Sequence, residues 1–224
     1  MQRKHVVATS LLLGGLMLGQ GAMAAEPAPD YDLTANLGLT SNYMWRGTTL
    51  SADQAAIQGG VDWQMNNGFY LGTWISNVAG GYEQDWYGGY GFRTDEVVWD
   101  VGYILYTYPV QDNLTFGEAY ANLSWRMLNG GIALTLNADD DANNPADSGD
   151  VFLYIGGTWT VSGIDLGGTI GNYSRGRNGF DNYSYLELFM RKNDFGFRFA
   201  KNSLDSPEGD YRFWLTYEMD FDLR

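Results

Sequence analysis

The sequence predicts an all-β chain: a transmembrane antiparallel up-and-down β-barrel of about 12 strands, preceded by a cleaved signal peptide. Three observations carry that prediction. Apolar and polar residues alternate with period two along most of the chain, aromatic side chains gather toward the ends of the alternating segments, and the connections between segments alternate short and long.

Residues 1–24 read as the signal peptide. Arg3 and Lys4 supply a basic start and Val6 to Leu18 an apolar stretch too short to span a bilayer as a helix. Ala22-Met23-Ala24 then gives the small-x-small cleavage pattern. Residues 25–32 are expected to be a short periplasmic segment and 33–224 the barrel. The strands are expected near 33–46, 55–65, 69–77, 84–93, 97–108, 114–127, 131–138, 150–161, 164–173, 182–191, 195–201 and 211–223. The first shows the pattern well: Leu33, Ala35, Leu37, Leu39, Ser41, Tyr43 and Trp45 alternate with Thr34, Asn36, Gly38, Thr40, Asn42 and Arg46.

One face of these segments is almost free of charge. The other carries Arg46, Asp62, Asp85, Arg93, Asp100, Glu118, Arg126, Asp165, Glu187, Arg191, Arg198, Arg212 and Glu218, the candidate lumen-lining residues. Trp63, Phe92, Trp99, Trp125, Trp159, Phe195 and Phe221 lie near one end of their strands, and Tyr43, Trp45, Trp86, Tyr211 and Phe213 near the other. Two such girdles mark the headgroup levels of a membrane barrel, whereas core aromatics have no reason to sort to strand ends. Short turns are expected at 66–68, 94–96, 128–130, 162–163 and 192–194, and longer loops near 47–54, 78–83, 109–113, 139–149, 174–181 and 202–210. Pro109, Pro145 and Pro207 fall in three of the long ones. A soluble carrier barrel would be built the other way round, with an apolar lumen and a charged exterior.

Composition removes most catalytic chemistry. The chain of 224 residues has no Cys, and its single His, His5, lies in the leader. Disulfides, Cys/His metal sites and imidazole-based triads are therefore excluded from the mature chain. No carboxylate pair stands out for acid–base work, so no enzyme and no cofactor is expected. The net charge of −14 argues against a nucleic-acid partner.

The run Thr40-Ser41-Asn42-Tyr43-Met44-Trp45-Arg46-Gly47 resembles the opening motif of the TorF family, whose members are assigned as porins and which is also catalogued as the Gcw_chp domain. Gln58 to Asp62, Gly68 to Val78, Asp85 to Tyr90 and Asp100 to Pro109 follow in the family's order. The resemblance implies an outer-membrane barrel assigned as a porin, and it brings no catalytic residues with it.

Asp139 to Asp150 places oxygen-bearing side chains at several positions of a calcium-loop frame but lacks its central glycine. It reads as a solvated external loop held extended by like charges. Arg46, beside Gly47, reads as a rim residue pairing with an acid such as Asp85. Inward aromatics, among them Tyr70, Trp74, Tyr87, Tyr106, Tyr108, Phe152 and Tyr154, read as filling. The expected function is passive diffusion of small hydrophilic solutes across the outer membrane of a Gram-negative bacterium, with a mild cation preference. The alternative is a closed or plugged barrel with a structural or adhesive role through its loops. The lipid wall shows no flat patch that would fix an oligomeric state.

Overall fold

The structure is a computed structural model, described for residues 30–141, 144, 146–176, 180–205 and 207–224. The leader and its cleavage residues Ala22 and Ala24 lie outside the described residues.

Twelve antiparallel strands close into a barrel. They are β1 (Tyr31–Thr40), β4 (Ala56–Met65), β5 (Phe69–Val78), β6 (Gly81–Thr94), β7 (Val97–Thr107), β8 (Phe116–Trp125), β9 (Leu128–Ala138), β10 (Val151–Val161), β11 (Ile164–Ser174), β12 (Tyr183–Lys192), β13 (Phe195–Asn202) and β14 (Arg212–Asp222). Each pairs with its neighbours in sequence, and β1 closes the ring between β4 and β14. A small hairpin, β2 (Met44–Trp45) with β3 (Thr48–Thr49), stands apart from the wall.

The turns at one end are tight. Residues 95–96, 126–127, 162–163 and 193–194 connect their strands, and Asp95, Arg126, Ser162 and Asn193 each take the left-handed backbone conformation such turns require. The chain enters and leaves the barrel at this end, where Arg224 Nη1 donates to the Tyr31 hydroxyl at 2.6 Å. Loops at the other end are longer, with one exception: β5 and β6 are joined by Ala79-Gly80 alone, where a longer loop over 78–83 was expected. Gly80 at φ 83° makes this short connection possible. The turn expected at 128–130 sits instead at 126–127, because Leu128, Asn129 and Gly130 pair within the sheet.

Side-chain direction follows the period-two pattern. Outward positions are apolar and exposed: Leu71, Ile75, Ile155, Ile170 and Leu215 all face away from the lumen. A wall of this kind suits hydrocarbon, and the inverse arrangement of a soluble carrier is not what the chain builds. Charge on that parity is confined to strand ends, at Lys192 and Lys201; Lys201 snorkels at the rim, donating to the Gly209 carbonyl at 2.6 Å with its ammonium 4.8 Å from the Tyr211 ring. Phe92, Trp125, Trp159, Phe195 and Phe221 form an exposed aromatic band at the short-turn end, and Trp86, Tyr211 and Phe213 a sparser one at the other.

The first strand is where sequence and structure part. Expected to run to residue 46, it ends at Thr40. Residues 41–55 leave the wall and fold into the lumen, so Tyr43 and Trp45 are buried inside the barrel and belong to no outer girdle. The turn is made at the end of the strand, by one long-range and one short-range set of bonds. Ser41 N and Oγ bond to Leu215 across the strand end, and the Thr40 hydroxyl donates to the Asn42 carbonyl at 2.7 Å, turning the chain inward.

Candidate functional site

The inserted segment is a bolted structure rather than a loose loop. Arg46 (φ 50°) and Gly47 (φ 79°) form the two-residue turn of the β2–β3 hairpin, both left-handed as that hairpin type demands. Gly47 is also the only residue that fits: a Cβ there would lie 2.5 Å from that of Tyr185. Below the hairpin, Leu50 N donates to the Tyr43 carbonyl, the Asn42 amide to Asp53 Oδ1 at 2.7 Å, and Thr49 Oγ1 to Asn42 Oδ1 at 2.6 Å. Three of the segment's ties to the wall lie near the long-loop end. Asn202 Nδ2 donates to the Gly47 carbonyl at 2.8 Å, Ala79 N to the Leu50 carbonyl at 2.8 Å, and Arg212 Nε to Asp53 Oδ1 at 2.7 Å. That last hydrogen bond holds the Asp53 carboxyl below its ordinary pKa of 3.8.

The tip carries Arg46 into a cage of opposite charge and aromatic faces. Its guanidinium donates in a fork to both Glu118 oxygens, at 2.8 and 2.6 Å, with both side chains almost fully buried. Its carbon lies 4.3, 4.0 and 5.0 Å from the ring centres of Trp45, Phe152 and Tyr173. The expected pairing with Asp85 is therefore corrected: Glu118, on β8, takes Arg46. A β-bulge beside Glu118, where Thr135 and Asn137 pair with Glu118 and Gly117 and leave Leu136 extra, breaks the ladder at this point. Trp45 itself packs edge-on against Tyr106, Phe116 and Tyr173.

Around and beneath this insert the wall is acidic, and tyrosines answer many of the acids. The Tyr43 hydroxyl donates to Glu83 at 2.5 Å and the Tyr108 hydroxyl to the other Glu83 oxygen. Tyr87 donates to Asp62 at 2.5 Å and Tyr70 to Asp100 at 2.5 Å. Glycine stands opposite two of these rings on the next strand: a Cβ at Gly72 would run into the Tyr87 ring, and one at Gly89 into the Tyr70 ring. Two further arginines are paired, Arg198 with Glu187 at 2.7 Å and Arg191 with Asp165 at 2.9 Å.

A cavity of about 320 Å³ runs between the insert and the short-turn end. Asp62, Asp85, Glu118, Glu187, Arg191, Arg198 and Glu218 border it, as do Arg46, Asp220 and Asp222. Asp100 points inward and also accepts from Asn122 Nδ2 at 3.2 Å. The remaining candidates lie elsewhere. Arg212 sits at the long-loop rim, Arg93 is exposed near the short turns, and Arg126 is in a turn, exposed and paired with Glu96 at 2.9 Å. Tyr43, Trp45 and Glu83 were missed as interior residues; the first two fit the outward parity of an extended strand, and Glu83 was assigned to a loop. The Arg46-Gly47 pair, a two-residue turn signal, was the clue.

The acidic segment 139–150 is also corrected. Among its described residues Asn144, Ala146 and Asp150 are buried, where a solvated loop was expected. Asp150 caps its own turn by accepting from Asp147 N at 3.0 Å and reaches across to Gly176 N at 2.6 Å. Among the described residues no group of three or more His, Cys, Asp or Glu could hold a metal ion.

A family profile described as "Bacterial protein of unknown function (Gcw_chp)" matches residues 24–212. The chain belongs to the Gcw_chp family. The run Thr40 to Gly47, which carries the resemblance to the family's opening motif, supplies the end of β1 and the first half of the lumen insert. No curated protein matches. Among solved structures, one described as "Unveiling the Mechanism Behind the in-meso Crystallization of Membrane Proteins" is similar at TM-score 0.59 and 7% identity, covering 86% of this chain and 84% of that one. A KdgM porin is similar at TM-score 0.54 and 7% identity, covering 85% and 99%. The KdgM porin in complex with disordered oligogalacturonate gives TM-score 0.51 and 7% identity, covering 86% and 99%. At such identities the likeness concerns the fold.

Proposed function

We propose that this Gcw_chp barrel is an outer-membrane channel of a Gram-negative bacterium for passive diffusion of small hydrophilic solutes, with a preference for cations. The observation that carries this reading is how the lumen acids are satisfied. Arg46, Arg191 and Arg198 are each committed to one acid, whereas Asp62, Glu83 and Asp100 receive tyrosine hydroxyls, which bring hydrogen bonds but no positive charge. The lumen field is therefore negative, and a low-dielectric wall focuses it along the cavity. Polyanions are poor solutes for such a lumen, which sets it apart from the KdgM porin that holds oligogalacturonate. The apolar exterior, the aromatic bands and the likeness to porin barrels support the membrane assignment, and the motif resemblance to the TorF porins agrees with it.

A second reading is favoured by the insert: a barrel plugged by residues 41–55, acting through its external loops. The buried Arg46–Glu118 pair and the three wall ties make that segment a fixed obstruction of part of the lumen.

Single-channel recording from the refolded protein in a planar bilayer under a salt gradient separates the two. Discrete steps with a cation-selective reversal potential are expected. Anion selectivity would overturn the lumen assignment. Silence from a protein that keeps the heat-dependent gel shift of a folded barrel would favour the plugged reading.

A further inference from the structure

At the level of the insert, one row of inward side chains crosses four strands of the wall: Trp74 on β5, Asp85 on β6, Tyr106 on β7 and Phe116 on β8, each directly opposite the next. Asp85 is thus a lone carboxylate between two aromatic neighbours, 2% exposed, and its Oδ1 has no hydrogen-bond partner. Its acidic neighbours differ. Glu83 receives Tyr43 and Tyr108, and Glu118 receives Arg46. Among the described residues the other buried side-chain polar atom without a partner is the Tyr185 hydroxyl, and both residues border the same cavity. Leaving a carboxylate oxygen buried and unanswered is costly, and proteins keep such atoms where a ligand completes them.

We propose that Asp85, Trp74 and Tyr106 form a subsite for a small organic cation, an alkylammonium or alkylguanidinium group carried by the solute. Asp85 Oδ1 accepts its N–H, while the aromatic neighbours cover its apolar body and offer their negative faces. A bare divalent ion fits poorly: it asks for several oxygen ligands at once, and no cluster of acids able to supply them is present among the described residues. Beside the subsite, where the Tyr106 hydroxyl donates to Glu118, the fold applies the same chemistry to a group of its own, since the Arg46 guanidinium is held by that carboxylate and by the faces of Phe152 and Tyr173. The subsite rests on the channel reading only for solute access to the lumen.

Calorimetric titration of the refolded protein in detergent with ethylguanidinium chloride tests this, with sodium chloride and sodium ethanesulfonate as controls at equal ionic strength. Saturable one-site binding of the organic cation, absent for both controls, is expected. Asp85→Asn, which keeps the side chain's shape, should weaken it by about tenfold or more, a loss of about 1.4 kcal/mol or more. Trp74→Leu should weaken it several-fold with the carboxylate intact. No saturable binding to the unaltered protein, or equal affinity in Asp85→Asn, would overturn the proposal. Should Asp85→Asn not fold, undiminished affinity in Trp74→Leu would overturn it. Binding in a protein silent in bilayers would remove the channel and leave the subsite, whereas conduction without binding would do the reverse.

Discussion

Arg46 shows how much one residue carries here. It stands in a left-handed backbone conformation that few non-glycine residues adopt, and its charge is almost entirely withdrawn from water. Both costs are offset by the forked hydrogen bonds to Glu118 and by the aromatic faces around the guanidinium. Removing the arginine leaves the Glu118 carboxylate buried with no cation beside it. Arg46→Ala is therefore expected to destabilise the barrel by about 3–5 kcal/mol, measured as reversible urea unfolding in lipid vesicles. Double replacement with Glu118→Gln should recover part of that loss, because the stranded charge is gone. If Arg46→Ala alone left the unfolding midpoint unchanged, the pair would not be what anchors the insert.

Two elements invite tests of their own. In strand β1 the faces alternate, Leu37 outward and Thr34 toward the cavity. Leu37→Arg should cost about 2–4 kcal/mol if that residue lies near the bilayer midplane, and Thr34→Arg much less. Equal costs in the same unfolding assay would sink the assignment of the two faces. The inserted segment has a pH-sensitive tie in Asp53, whose pKa is lowered by the hydrogen bond from Arg212. A depressed carboxyl pKa stabilises the fold fully above the unfolded value of 3.8, and that contribution is lost as pH falls through the lower folded value. The tie thus holds at neutral pH and releases only in strong acid. Conductance recorded against pH should show a change below 3.8, absent in Asp53→Asn; a change centred near neutrality would place the sensitive group elsewhere.

At the scale of the whole molecule, the barrel and its insert divide the labour. The wall separates an apolar exterior from a charged interior, and the insert narrows that interior from the long-loop end while leaving a cavity of about 320 Å³ bordered by acids. The wall was legible in the chain because a strand exposes its environment residue by residue: Leu71, Ile75 and Leu215 against Asp62, Asp85 and Glu218 is a pattern that requires no knowledge of distant contacts. Strand number, the tight turns and the inward direction of the acids in the wall all follow from that local rule. The insert was not legible for the same reason. Tyr43 and Trp45 satisfy the alternation of an extended β1, and nothing local to them reveals that Glu83, Glu118, Phe116 and Tyr173 wait across the lumen. The choice of partner for Arg46 likewise depended on closure, which brings β8 rather than β6 to the tip of the hairpin. Periodicity thus determined the barrel, because each residue answers to the medium on its own side of the sheet. Only the closed tertiary structure decided what fills it, because those contacts join residues far apart in the chain and exist only once the ring is complete.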